Sequence, residues 1–235
     1  MSAAVVPTHI VDVRVGDDLV VATLDDGKVN ALGFSLVREL RAALRVAVER
    51  RRPLVLAGRP GVFSAGFDLA VVDGPDEDLV DDLLDETRAL VLALLDAPVP
   101  VVAACTGHAI AGGAVLLLAA DHRIGTEGDA RIGLNEVTLG RALPDFALTL
   151  ASDRLDPRRR ARATVLGVAT APAEAVEVGF LHELREDPVA AAIEVARGLS
   201  RLPATPLATT RRLAHAPLLA ALAGQSLRVP REDPW

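Results

Sequence analysis

Hydrophobic and polar positions repeat along this chain with two different periods. Residues 9–15 and 19–24 are short β-branched runs around Gly16-Asp17-Asp18, the composition of a hairpin. From residue 34 to 51 the period lengthens to three or four. Leu36, Leu40, Ala43, Leu44 and Ala47 form one stripe, which predicts an amphipathic helix. Arg50, Arg51 and Arg52 stand at its C-terminal end, where the helix dipole favours cations, and Pro53 stops it. Residues 54–57 and 99–104 are unbroken apolar runs and predict buried strands. The stretch 58–66 between strand and next helix is rich in turn formers and reads as a loop.

A second helix is predicted after Pro75. Val80, Leu83, Leu84, Thr87, Leu90, Val91, Leu94 and Leu95 line one face; Asp81, Asp82, Asp85 and Glu86 fall largely opposite and read as a solvated face. Residues 111–120 read as a buried helix, and 121–125 and 130–134 as short strands. From about Leu143 the pattern is mostly helical, with Pro157, Pro172, Pro188, Pro203 and Pro217 at or near helix starts. The stretch 228–235 reads as a loose tail. Strands alternating with helices imply parallel pairing and an α/β core.

The chain has 235 residues, 51% hydrophobic and 24% charged, with a formal net charge of -7. That length supports one sizeable core, and the apolar fraction excludes a disordered chain. The acidic balance argues against nucleic acid as a partner. Cys105 is the only cysteine, which excludes an internal disulfide. It follows an apolar strand and reads as a small buried residue. The N-terminus lacks a basic stretch followed by a long apolar one, and the longest apolar run, 109–120, is too short to span a bilayer. A cytoplasmic protein with no membrane partner is expected. Lys28 is the only lysine among 25 basic residues, which is base composition or a special role.

Two places put glycine at a strand-to-helix junction: Val62-Phe63-Ser64-Ala65-Gly66-Phe67-Asp68-Leu69 and Gly107-His108-Ala109-Ile110-Ala111-Gly112-Gly113-Ala114. Unpaired amides at such junctions favour negative charge, and two converging on one point make an oxyanion hole. Small residues there equally permit tight packing. Glu136 sits among mainly apolar neighbours. It is either a desolvated acid suited to proton transfer or an exposed loop acid. The five histidines lack metal-ligand spacing, so no metal is expected, and neither a nucleophile elbow nor a phosphate-binding loop occurs. Ser64 has a candidate partner in His108. His122 and Arg123 read as strand-end or interface residues.

Five segments in order resemble the enoyl-CoA hydratase/isomerase, or crotonase, family. They are Asp25-Asp26-Gly27-Lys28-Val29-Asn30-Ala31-Leu32, Phe63-Ser64-Ala65-Gly66-Phe67-Asp68-Leu69, the 107–113 loop, Asp121-His122-Arg123-Ile124 and Asn135-Glu136. Together they cover roughly residues 8–179. The resemblance implies an α/β crotonase fold: a ββα spiral core over 1–180 carrying an acyl-CoA site, then a helical trimerisation region over 181–235. It implies a homotrimer or dimer of trimers acting on fatty acyl-CoA thioesters, with coenzyme A as part of the substrate and no separate cofactor. By position, the backbone N–H groups of Phe67 and Gly112 would be the oxyanion donors. Lys28, Val29, Ala65, Gly66, Asp68, Leu69, Ala111 and Gly113 would line the substrate path. Phe34, Phe146 and the 73–84 region are expected to shape the acyl pocket.

Hydratases of this family use two glutamates. The second matches Glu136; the first falls at Val115, which cannot transfer protons. The 132–140 segment looks more like the Δ3,Δ2-enoyl-CoA isomerases, which keep only this glutamate. Asp145 is either an additional acid or a helix N-cap. The expected activity is a shift of the 3-enoyl-CoA double bond to the 2-position by Glu136. The alternatives are a hydratase using Asp145 as second acid and a non-catalytic acyl-CoA-binding protein.

Overall fold

A computed structural model describes residues 9–224. The hairpin forms as expected: β1 (Val11–Val15) pairs antiparallel with β2 (Val20–Leu24). Helix α1 (Phe34–Arg50) follows, and Arg51 ends it in the left-handed region at φ 54°. Next come β3 (Leu54–Ala57), β4 (Gly61–Ser64), α2 (Leu69–Val72) and α3 (Glu77–Asp96). Strands β5 (Val101–Cys105) and β6 (Gly107–Ile110) lead into α4 (Gly112–Leu118), then β7 (His122–Gly125) and β8 (Ile132–Gly133). A 3-10 turn, Glu136–Leu139, precedes α5 (Asp145–Arg154), α6 (Arg160–Thr164), α7 (Pro172–Val178), β9 (Glu183–Leu184), α8 (Pro188–Leu199) and α9 (Ala204–Ala223).

Two sheets result. The larger has the order β1-β2-β3-β5-β7-β9, parallel except for the hairpin; the smaller is β4-β6-β8, all parallel. The unbroken apolar runs are explained by burial on both faces. Leu54, Leu56, Val101, Ala103 and Cys105 join the main core with α1 and α3. Their alternates Val55, Ala57, Val102 and Ala104 meet Ala192 and Ala196 of α8 on the other face.

Four expectations need correction. The 58–66 stretch is not all loop, because β4 lies inside it. The chain before α4 is a strand, β6, whose Gly107 is mandatory: a Cβ there would lie 1.9 Å from the Gly61 carbonyl carbon. Pro217 lies inside α9 rather than at a helix start. Asp81 does not belong to the solvated face, as described below. The 228–235 tail lies outside the described residues.

Helix α9 is fastened to α3 by a buried cation. Helix C-termini leave carbonyls without partners. Arg211, 7% exposed, donates to the Leu94, Leu95 and Ala97 carbonyls and, through Nε, to both Asp121 oxygens at 2.9 Å. Asp121 in turn accepts the Val101 N–H at 2.7 Å. Removing one partner of such a pair strands the other in low dielectric. Arg211→Met is therefore expected to cost about 3 kcal/mol in urea unfolding. A loss within experimental error would contradict this.

Candidate active site

The segment between β2 and α1 supports the first glycine loop from below. Asn30 adopts φ 54°, a conformation asparagine tolerates better than most residues. Its fully buried side chain donates to the Leu24 and Phe63 carbonyls at 3.0 and 3.1 Å and accepts the Asp26 N–H. Its carbonyl accepts the Ser64 hydroxyl at 2.7 Å, and that hydroxyl accepts the Gly66 N–H. Ser64 is thus consumed by backbone. His108 instead accepts the Arg131 N–H, so the Ser64–His108 pairing does not form.

Beyond Ser64 the loop runs parallel to Leu32. The Leu32 N–H donates to the Gly66 carbonyl at 2.7 Å and the Asp68 N–H to the Leu32 carbonyl at 3.2 Å. This alternation turns the intervening Phe67 N–H away, and among the described residues it has no hydrogen-bond partner. Asp68 caps α2 by accepting the Ala70 N–H at 3.0 Å. Its carboxylate is engaged there and does not line the cavity described next.

The second loop uses strain to present its donor. Ala111 donates to the Gly133 carbonyl and sits at φ 50°, ψ -121°, a region usually left to glycine. Gly112 then opens α4, and its N–H also has no partner among the described residues. The two loops touch: a Cβ on Gly66 would lie 2.8 Å from the Ile110 carbonyl and 3.3 Å from the Gly112 nitrogen. A Cβ on Gly113 would lie 2.3 Å from the Ser64 carbonyl, so Gly113 serves this packing.

A cavity of about 230 Å³ opens at these loops. Ala65, Phe67 and Ala111 border it from the loops, and Leu69 and Val72 from α2. Helix α3 contributes Val80, Asp81 and Leu84; the chain after β8 contributes Glu136, Leu139, Arg141, Ala142 and Pro144. Glu136 opens the 3-10 turn, whose carbonyl end is closed by the Arg141 N–H donating to the Glu136 carbonyl at 3.0 Å. Glu136 is 5% exposed, and neither of its carboxylate oxygens, both buried, has a hydrogen-bond partner. Burial pushes its pKa up from 4.5 to about 7; its own backbone N–H opposes the shift weakly without bonding to it. The local pattern left open an exposed acid; the structure places the carboxylate in apolar surroundings.

The remaining expected site residues are more scattered. Lys28 is exposed and Val29 is 47% exposed, on the solvent side of the loop that Ala65 joins through its N–H to the Val29 carbonyl. Asp145 is exposed and outside the cavity lining. It is also not an N-cap: Pro144 holds that position and Asp145 is the first helical residue. Val115 is buried in α4. Phe34 and Phe146 pack in the core rather than on the cavity. Cys105 is buried, which pushes its thiol up to about 12.

Of the 73–84 region expected to shape the acyl pocket, Val80, Asp81 and Leu84 line the cavity and Asp73 does not; within that region the sequence pattern assigns Asp81 to the solvated face, and Arg141 is not among the expected site residues. A signal existed for Asp81: it precedes the buried Leu84 by three residues and so shares its face. Arg141 had none, because its place depends on how the 3-10 turn folds.

The site thus combines two unpartnered backbone donors on touching loops, that of Phe67 at the cavity wall and that of Gly112 directly after the lining residue Ala111, with a buried carboxylate on the same cavity. A model of the enoyl-CoA hydratase/isomerase family matches residues 15–226, and the chain belongs to that family. It is 30% identical over 179 residues to human "Enoyl-CoA delta isomerase 1, mitochondrial", covering 74% of this chain and 59% of that protein. A "Probable enoyl-CoA hydratase" of Rhodobacter capsulatus is 32% identical over 237 residues, covering 92% of this chain and 85% of its own. An enoyl-CoA hydratase/isomerase family protein from Pseudomonas syringae superposes with a TM-score of 0.88 at 33% identity, covering 91% of this chain and 94% of its own. The expected α/β crotonase-type fold is thereby borne out. Among the described residues, no helix is long and apolar enough to cross a membrane.

Proposed function

We propose that this chain shifts the double bond of a 3-enoyl-CoA to the 2-position, with Glu136 as the sole proton carrier. The observation that carries this reading is the Glu136 carboxylate: buried, unpartnered, its pKa raised to about 7, on the cavity that Phe67 and Ala111 border. In the proposed step the carboxylate takes a proton from C2. The electron pair released runs onto the thioester oxygen, which accepts the Phe67 and Gly112 N–H groups as an enolate. The enolate pair then re-forms the carbonyl, a C2–C3 double bond appears, and the old C3–C4 π pair takes the proton back from Glu136 at C4. Nothing is consumed, so one acid suffices. The exposed Lys28 and Val29 suit the path of the coenzyme A portion.

A second reading is favoured by one observation. Asp81 lines the same cavity as Glu136, so it, and not the exposed Asp145, is the acid in position to assist water addition. One assay separates the readings: incubation with 3-hexenoyl-CoA and, separately, with 2-hexenoyl-CoA. The isomerase reading expects conjugation of the first without hydration of the second. Hydration of the second, lost in Asp81→Asn, would establish the hydratase. Binding of both without turnover of either would leave a non-catalytic acyl-CoA-binding protein.

A further inference from the structure

The cavity has two walls that do not share an element. One is α2 and the first turn of α3, contributing Leu69, Val72 and Val80; the other is the 136–144 segment, contributing Leu139, Arg141 and Pro144. Asp73 caps α2 directly after Val72, and its carboxylate is ion-paired with the Arg141 guanidinium. This pair joins one wall to the other. Arg141 is anchored at its own end, since its backbone N–H closes the turn that carries Glu136.

We propose that the Asp73–Arg141 ion pair determines the length of acyl chain this site accepts. The inference rests on the acyl-CoA reading above. In this proposal a longer chain extends between the α2 wall and the 136–144 wall, and the pair is the polar tie resisting their separation. Its strength suits a selector rather than a lock. Asp73 and Arg141 are 51% and 35% exposed, in the range where ion pairs are weak and salt-sensitive. The charge balance also defines the chain. Asp81 and Glu136 border the cavity and its one arginine already has a carboxylate partner. A neutral hydrocarbon chain fits this lining; one ending in a second carboxylate does not.

The test compares wild type, Asp73→Ala and the reversal Asp73→Arg with Arg141→Asp, using 3-hexenoyl-CoA and 3-hexadecenoyl-CoA. Asp73 does not line the cavity, so Asp73→Ala is expected to leave the short substrate unchanged. It should raise the long-to-short ratio of kcat/KM about two- to fivefold, the range an exposed ion pair can supply. The reversal should return the ratio toward wild type. High salt should shift wild type in the same direction as Asp73→Ala and leave Asp73→Ala itself unmoved. An unchanged ratio in Asp73→Ala, or equal losses on both substrates, would overturn the proposal. Calorimetric binding of hexanoyl-CoA and hexadecanoyl-CoA to the same proteins reads the length preference without turnover. A protein that binds both and turns over neither defeats the isomerase reading while still deciding this one. A protein that binds neither defeats both.

Discussion

Glu136→Gln is expected to lower turnover of a 3-enoyl-CoA by about 100- to 10,000-fold, the usual cost of losing a positioned proton-transfer group. The amide keeps the size of the side chain and removes its basicity, so acyl-CoA binding should persist. The same substitution should act on stability in the opposite sense. The carboxyl pKa is about 7 in the folded protein against an ordinary 4.5. Between those values the folded state holds a proton that the unfolded state has released. Stability therefore falls as pH rises through that window, and the whole cost is present above about pH 7. The shift corresponds to about 3 kcal/mol at most. Urea unfolding should show Glu136→Gln matching wild type near pH 4 and exceeding it near pH 8. The rate follows the ionised base, so wild-type kcat/KM should rise with pH and level off above about 7. A flat profile across that range would remove Glu136 from the base role.

The second large effect is expected at Gly66. Its φ of +95° already disfavours a side chain, and a Cβ would meet the Ile110 carbonyl at 2.8 Å and the Ala111 Cβ at 2.9 Å. These are the residues that set the direction of the Gly112 N–H. Gly66→Ala must push the two glycine loops apart, and losing one oxyanion donor typically costs about 100- to 1,000-fold in kcat. Gly61→Ala is the control, because Gly61 shares the positive φ but its Cβ would meet nothing within 4 Å. It should carry backbone strain alone and retain most of the rate. Equal losses of kcat in both variants would mean that strain, and not displacement of the donors, accounts for the Gly66 effect.

Much of this molecule is legible in its amino-acid sequence. The unbroken runs at 54–57 and 99–104 become the central strands β3 and β5 because both faces of the large sheet are covered, by α1 and α3 on one side and α8 on the other. The three-to-four spacing of Leu36, Leu40 and Leu44 is enough to place α1. Strands β4 and β6 hide because each is four residues long and starts with a glycine, the residue that normally marks a turn. What holds them is mutual: Gly107 packs on Gly61, a contact visible only once both strands exist. Glu136 shows the same limit. Its neighbours in sequence are mainly apolar, but what desolvates it is the packing of the 136–144 segment against α2, α3 and the two loops. Asp81 is masked by company, since Asp82, Asp85 and Glu86 make the whole stretch read as solvated. Pro217 lacks a sequence signal that it would be accommodated inside a helix.

The most direct measurement follows 3-hexenoyl-CoA in deuterated buffer by absorbance of the conjugated thioester and by mass, with wild type, Asp81→Asn and Glu136→Gln side by side. Wild type and Asp81→Asn should conjugate the substrate and carry its C2 proton to C4 with little deuterium gained, while Glu136→Gln binds it and does not conjugate it. Conjugation surviving in Glu136→Gln at wild-type rates would contradict the central claim.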